Sequence, residues 1–329
     1  MLGNLVKLDM LQKHSEKRAE RRRFFRKSGG FAVGMAGGAI LAACGGGGSN
    51  AIGQAVPVAP PTSGPSDADI LNFALNLEYL EAQFYQYAVF GRGLPDDQLG
   101  GTGTRGAVTG GRAVPFQDPV VAQYAREIAK DEADHVRFLR RELGSAAVAQ
   151  PAIDVGTAVN GAFSSAARAA GLVTAGQAFD PYASDEAFLL GAYIFEDVGV
   201  TAYKGAAPLI TSKAYLEAAA GILAAEAYHA GLIRTVLYAK GLQTPSLRTS
   251  ADAISSARDS LDAASDVDQG ITGTAEISNI VPLDADGIAF SRTPGDVLNI
   301  VYLTKESVNK GGFFPAGVNG ALNLSSAFA

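Results

Sequence analysis

The sequence predicts a mainly α protein: a four-helix bundle with a long crossover between its second and third helices and a mixed C-terminal extension. Three observations predict it. Four segments carry apolar residues at helical spacing and end in capping signals. The link between the second and third is long, while the third and fourth are joined by a few residues, which makes those two antiparallel neighbours. Two segments each contain Glu-x-x-His, Glu132 to His135 and Glu226 to His229, and the one other histidine is His14 near the N-terminus.

Helix one opens at Ser66, with Asp69 three residues on completing a capping box, and runs through Leu71, Phe73, Leu75, Leu77, Leu80, Phe84 and Tyr87 to Gly91. Helix two opens at Asp118-Pro119, an N-cap followed by proline at the first helical position, and stops at Gly144. Helix three opens near Ser184 and runs through Phe188, Leu189, Tyr193 and Phe195 to Pro208. Helix four opens near Ser212 and ends at Gly241, which reads as a left-handed cap. The crossover, 145–183, is rich in Ala and Gly and has room for a short helix at 162–170. The 91–117 link, full of Gly and Thr, reads as a surface loop. Beyond Gly241, 250–264 reads as a short helix, 275–281 and 287–290 as β-type runs, and Thr293-Pro294-Gly295-Asp296 as the start of a last helix. Phe313-Phe314-Pro315 reads as an apolar anchor. The bundle therefore spans 66–241 and the extension 242–329.

The first 43 residues read as an export signal rather than fold. Arg21-Arg22-Arg23-Phe24-Phe25-Arg26 has the form of a twin-arginine signal, followed by a weakly apolar stretch shorter than the roughly 20 residues a membrane span needs. Leu41-Ala42-Ala43-Cys44 resembles a lipoprotein cleavage box, and Cys44 is the single cysteine. A lone thiol forms no internal disulfide and is a liability in an oxidising compartment, which lipidation removes. Residues 44–65, glycine- then proline-rich, read as a tether. The expectation is an exported, periplasmic or cell-envelope protein held at the membrane by a lipid on Cys44. The signal is basic, so the rest bears a net charge of about −12 against −6 for the whole chain, which excludes a nucleic-acid partner.

Residues three apart on a helix share a face, so each Glu-x-x-His aims a carboxylate and an imidazole at one point. At this chain's glutamate frequency, both histidines gain such a partner by chance on the order of once in several hundred sequences. A dinuclear site needs one further glutamate from each remaining helix. Helix three offers Glu196, flanked by Ile194, Phe195 and Val198; helix one offers Glu78 and Glu81. Glu196 precedes Tyr203 by seven residues, and Glu78 precedes Tyr85 by seven, two helical turns in each case. That echo favours Glu78, with Glu81 one turn on as an extra or alternate ligand; the position matching Glu81 in the other copy is Gly199. The expected ligands are Glu78, Glu132, His135, Glu196, Glu226 and His229. Four carboxylates balance two divalent cations, and oxygen with imidazole suits two Fe or two Mn, or Zn if wrongly loaded. Among groups expected to orient the ligands, Asp131 precedes Glu132 and can reach His229, whereas Ala225 leaves His135 without an equivalent. Asp134 and Asp197 are further candidates with solvent-facing alternatives. Tyr85 and Tyr203 are placed either to bond the ligand carboxylates or to be ordinary core tyrosines.

Glu-x6-Tyr on helices one and three with Glu-x-x-His on two and four resembles the ferritin-like superfamily, including rubrerythrins and bacterioferritins. Leu77-Glu78-Tyr79-Leu80-Glu81-Ala82 with Phe84-Tyr85 is similar to ferritin-like proteins of the desiccation-related type. So are Phe290-Ser291-Arg292-Thr293-Pro294, Val297-Leu298-Asn299-Ile300-Val301-Tyr302 and Gly311-Gly312-Phe313-Phe314-Pro315. The resemblance implies a ferritin-like bundle with a di-iron or di-manganese centre and no single activity. The leading expectation is a redox protein meeting a small-molecule oxidant, O2 or peroxide, in oxidative or desiccation stress. The alternative is a non-catalytic envelope lipoprotein whose metal serves stability. Storage of iron in a closed shell fits the tether and extension least.

Overall fold

Ser66 starts the first helix by a reciprocal exchange: its hydroxyl accepts from the Asp69 N–H at 3.2 Å, and the Asp69 carboxylate accepts from the Ser66 N–H at 3.0 Å. Helix α1 (Asp67–Phe90) follows and ends at Gly91, whose φ of 67° is left-handed. Asp118 caps α2 (Pro119–Leu143) by accepting from the Val120 N–H at 2.9 Å, with Pro119 at the first position. After the short crossover helix α3 (Ala162–Ala169), Ser184 caps α4 (Asp185–Ala206) and Ser212 caps α5 (Lys213–Lys240). Two shorter helices complete the chain: α6 (Ser246–Asp259), and α7 (Pro294–Tyr302) with a second capping box between Thr293 and Asp296. The computed structural model describes residues 64–262 and 266–328. The export signal, Cys44 and nearly all of the tether lie outside the described residues. No helix among the described residues is long and apolar enough to cross a membrane.

The long helices pack in two pairs, α1 along α2 and α4 along α5, with α1 against α4 at the centre. Burial follows that arrangement. α1 and α4 are covered nearly all round, while α2 shows water a full polar face. α2 and α5 do not pack closely on each other; a groove of about 990 Å³ lies along them, edged by Ile280 and Val281.

Four details depart from expectation. The 91–117 link contains a 3₁₀ turn, Asp96–Gln98, and a two-residue strand, β1 (Val108–Thr109), that pairs in parallel with β2 (Ile153–Asp154) of the crossover. Two loops facing each other satisfy their backbone groups mutually, a pairing that no local pattern announces. The 275–281 and 287–290 runs form no strand, because no sheet edge is presented to them, and Ile277, Val281 and Ile288 stay exposed. Helix α6 begins four residues earlier than the sequence pattern places it. Gly241 keeps a right-handed φ of −67° as the chain turns toward α6, with the Arg248 side chain occupying the place where a Cβ would stand.

The extension is anchored by aromatic contact and by buried charge. Phe313 and Phe314 are fully buried; the Phe313 ring meets Phe195 of α4 at 4.9 Å and Phe163 of α3 at 5.2 Å between centroids. Arg292 lies along α4, its N–H bonded to the Thr201 carbonyl at 3.0 Å. A Cβ at Gly205 would stand 1.8 Å from the Arg292 carbonyl oxygen, so only glycine permits that approach. Beneath it, Asp197 accepts from Arg234 at 2.7 Å and Arg258 at 2.8 Å, Arg258 reaches Asp268 at 2.9 Å, and Arg292 joins Asp262 at 2.6 Å and also bonds Asp268. Three guanidinium groups and three carboxylates thus compensate one another out of water.

Phe313→Ala is expected to cost about 3–5 kcal/mol by opening a cavity between α3 and α4, measured by denaturant unfolding. Asp197→Ala is expected to cost about as much, because it strips two buried arginines of their shared partner; an unchanged unfolding midpoint would mean the network adds nothing to stability.

Candidate metal centre

Four helices bring their glutamates to one level of the bundle. Glu78 of α1, Glu132 of α2, Glu196 of α4 and Glu226 of α5 are each no more than 1 % exposed. His135 follows Glu132 by one turn, and His229 follows Glu226 by one turn, so the two rings stand 6.3 Å apart between centroids. The His135 Nδ1 lies 3.2 Å from Glu78 Oε2, 3.5 Å from Glu132 Oε2 and 3.6 Å from Glu226 Oε1. The His229 Nδ1 lies 3.0 Å from Glu132 Oε1 and 3.8 Å from Glu196 Oε2.

These atoms sort into two groups able to hold a cation: Glu78, Glu132, His135 and Glu226 in one, Glu196, Glu226 and His229 in the other. Glu226 belongs to both. Glu132 turns one oxygen to each imidazole, so two carboxylates stand between the groups and two stand at the ends. All six residues selected from sequence meet here. Of the two helix-one candidates, Glu78 is in the cluster, and Glu81 stands beside it, 6 % exposed, outside both groups.

The surrounding groups hold the end carboxylates crosswise. The Tyr85 hydroxyl of α1 donates to Glu196 of α4, and the Tyr203 hydroxyl of α4 donates to Glu78 of α1. Each Glu-x6-Tyr therefore serves the opposite helix rather than its own. Asp131 faces His229, its Oδ2 3.5 Å from the ring Nε2. Asp134 is half-buried at the surface and pairs with Lys130 at 2.7 Å and with Arg137. Asp197 is buried but orients no imidazole, since Arg234 and Arg258 occupy it. Sequence reasoning found no role for those arginines, because their partners are 37 and 61 residues away.

The donor set fits a metal pair on a specific ground. Both oxygens of Glu132, both of Glu226, Glu196 Oε2 and His229 Nδ1 are buried and accept or donate no well-aligned hydrogen bond. They crowd together, His229 Nδ1 standing 3.0 Å from Glu132 Oε1, without the alignment of a hydrogen bond. Buried polar groups are ordinarily bonded, and six such atoms converging is the arrangement that coordination satisfies. Without a cation the charges redistribute. Burial pushes Glu78 up to about 7 and Glu196 up to about 8, against the pull of the neighbouring imidazoles. Burial, then adjoining carboxylates, holds Glu81 and Glu226 well above the usual range. Burial also acts on Glu132, but the two imidazoles beside it outweigh that and lower it. His135, despite burial, is raised to about 11 by Glu78 and Glu132, and His229 to about 9 by Glu132 and Glu196.

The groove along α2 and α5 reaches this centre. His229 and Asp131 form part of its wall, together with Tyr124, Ile128, Tyr228 and Leu232.

Comparison with known proteins agrees with this architecture. The family model for the ferritin-like domain matches residues 66–239. The chain is 29 % identical over 279 residues to the ferritin-like catalase Nec2 of Nesocodon mauritianus, covering 78 % of this chain and 85 % of that one. It is 31 % identical over 245 residues to the desiccation-related protein PCC13-62 of Craterostigma plantagineum, covering 70 % of this chain and 75 % of that one. No solved structure gives a significant match. With its bundle, its Glu and His cluster and these relatives together, the chain belongs to the ferritin-like family, of the desiccation-related type.

Proposed function

We propose that this protein holds two Fe or two Mn ions among Glu78, Glu132, His135, Glu196, Glu226 and His229, and uses them on O2 or peroxide at the outside of a bacterial membrane. The observation that carries the reading is the convergence of buried, unbonded oxygens from Glu132 and Glu226 on two imidazoles. A bound metal pair supplies a redox couple and polarises an oxygen–oxygen bond. The chain's residues do the rest. Glu132 and Glu226 keep two positive charges close together; Tyr85 and Tyr203 fix the end carboxylates through their hydroxyls; Asp131 fixes the tautomer and ring plane of His229. The groove beside His229 gives a small oxidant its approach. The relative named a catalase supports this chemistry. The relative named desiccation-related leaves room for a stress protein in which metal contributes folding energy and no turnover. The twin-arginine segment and Cys44 support export and a lipid anchor, with the tether holding the bundle off the membrane.

Metal analysis of the purified protein, followed by a peroxide-consumption assay, separates the readings. Two ions per chain with turnover supports the enzyme; bound metal without turnover supports the stress protein. Glu132→Ala combined with Glu226→Ala is expected to abolish metal binding and leave helical content largely intact; unchanged stoichiometry in that double variant would remove the site. Asp131→Asn is expected to weaken metal affinity by about 10- to 100-fold while leaving stoichiometry at saturation unchanged.

The metal-free protein is expected to be most stable near pH 5 and to lose stability toward pH 9. When unfolded, Glu78 and Glu196 ionise near 4.5; when folded they keep protons to about 7 and 8. The histidines release protons near 6.5 when unfolded and keep them to about 9 and 11 when folded. Both sets favour the folded state at low pH, and that contribution is lost as pH rises. Lowered Glu132 acts the other way, but only below about pH 4.5. Melting curves at pH 5, 7 and 9 with and without Mn(II) check this. Metal replaces the protons, so the downward trend should flatten or reverse; an identical trend in both would contradict a shared site.

A further inference from the structure

A cavity of about 80 Å³ lies where α4, α5 and the C-terminal extension meet, outside the Glu and His cluster. Its wall is largely apolar: Val200 of α4, Ala230 of α5, and Val267, Pro282 and Phe290 of the extension. Most polar side chains in the wall are committed elsewhere. Asp197 accepts from Arg234 and Arg258. Asp268 bonds Arg292, and its other oxygen, though without an aligned hydrogen bond, stands 2.9 Å from Arg258 Nε within the same ion-pair network. The Thr201 hydroxyl donates to the Val198 carbonyl at 3.0 Å and accepts from Arg292 at 2.8 Å. The Gln269 amide donates to the Leu283 carbonyl at 3.4 Å and accepts from Asn279 at 3.1 Å. Arg234 is the exception. It is 1 % exposed; one terminal nitrogen donates to the Tyr193 hydroxyl and Asp197, and the other donates to the carbonyls of Gln269, Gly270 and Asn279. Its Nε–H has no partner among the described residues.

A buried guanidinium N–H calls for an acceptor. Water answers poorly here. The cavity has room for about five waters, and each needs two or more polar partners, whereas the wall offers one spare donor. A charged guest fits no better, because the three guanidinium groups and three carboxylates of the adjoining network already balance. We infer that this cavity is a binding site for a neutral, mostly apolar molecule that places one carbonyl or hydroxyl oxygen on the Nε–H of Arg234. Ala227, Gly231, Ile280 and Val281 line both the cavity and the groove along α2 and α5, which makes the groove the entrance and the bed of any longer apolar tail. Ala227 and Ala230 directly follow Glu226 and His229, so the guest rests against the turn of α5 that carries both. The site is complete without metal, and the metal-free chain can be tested for it.

Cyclohexanone, benzene and cyclohexanecarboxylate, each titrated into the metal-free full chain by ligand-observed NMR, test this. The three are similar in size and differ in acceptor and charge. Cyclohexanone is expected to saturate one site per chain and to bind about 10-fold more tightly than benzene, the margin that one hydrogen bond to a buried cation supplies. Cyclohexanecarboxylate should bind more weakly than cyclohexanone. Ala289→Phe, which fills the cavity from its half-buried extension wall, should abolish cyclohexanone binding and leave circular dichroism unchanged. Arg234→Lys keeps the positive charge without the Nε–H and should bring cyclohexanone down to the affinity of benzene. Should either variant misfold, the wild-type ranking of the three probes decides alone. Equal binding of cyclohexanone and benzene, tightest binding of the carboxylate, cyclohexanone binding unchanged in a folded Ala289→Phe, or no binding at all, as for a cavity that holds only water, would each overturn this inference. Each would leave the metal centre standing.

Discussion

Five carboxylates share one buried level of this bundle, and the rest of the structure answers to that. Glu78, Glu81, Glu132, Glu196 and Glu226 are all nearly inaccessible to water, and among the described residues the cationic groups that pair with this cluster are two imidazoles. Ionised carboxylates in such a place repel one another and lose their hydration, which proteins tolerate when protons or metal ions take up the charge. The raised Glu78, Glu196 and Glu226, with a lowered Glu132 between two raised histidines, describe the proton solution. The buried, unbonded oxygens gathered beside the imidazoles describe the metal solution.

The division of labour among the helices follows from the same constraint. α1 and α4 are buried on nearly every side, and their glutamates are held in place by hydroxyls from each other, Tyr203 for Glu78 and Tyr85 for Glu196. α2 and α5 carry the imidazoles and keep a solvent face. Their loose contact leaves a groove that has His229 in its wall. A centre enclosed on one side by the apolar pair and approached from the other by the histidine-bearing pair is insulated yet reachable.

The C-terminal extension braces α4 from outside. Phe313 fills the space against Phe195, the residue before Glu196, and Asp197, the residue after it, is gripped by Arg234 and Arg258. Arg234 itself stands five residues beyond His229 on α5. The turn of α4 that carries Glu196 is thereby clamped on both flanks, by the extension and α6 and by α5 itself. Gly205 completes the clamp by letting the Arg292 backbone lie against the helix.

Much of this was legible in the sequence, because the signals are local. Helix starts were marked by Ser66, Asp118, Ser184 and Ser212, whose side chains bond backbone groups two or three residues away. The Glu-x-x-His and Glu-x6-Tyr spacings follow from one or two helical turns, so the faces they present needed no tertiary information. Only the tertiary structure decided what depends on distant segments meeting. It showed Glu78, rather than Glu81, in the cluster, and each tyrosine bonded to the other helix's glutamate. It turned the expected β runs into exposed loops and paired β1 with β2 across the crossover. It also buried Asp197 among arginines. Spacing along a chain sets which residues share a face; which face meets which, and what fills the space between, is set by packing among elements far apart in sequence.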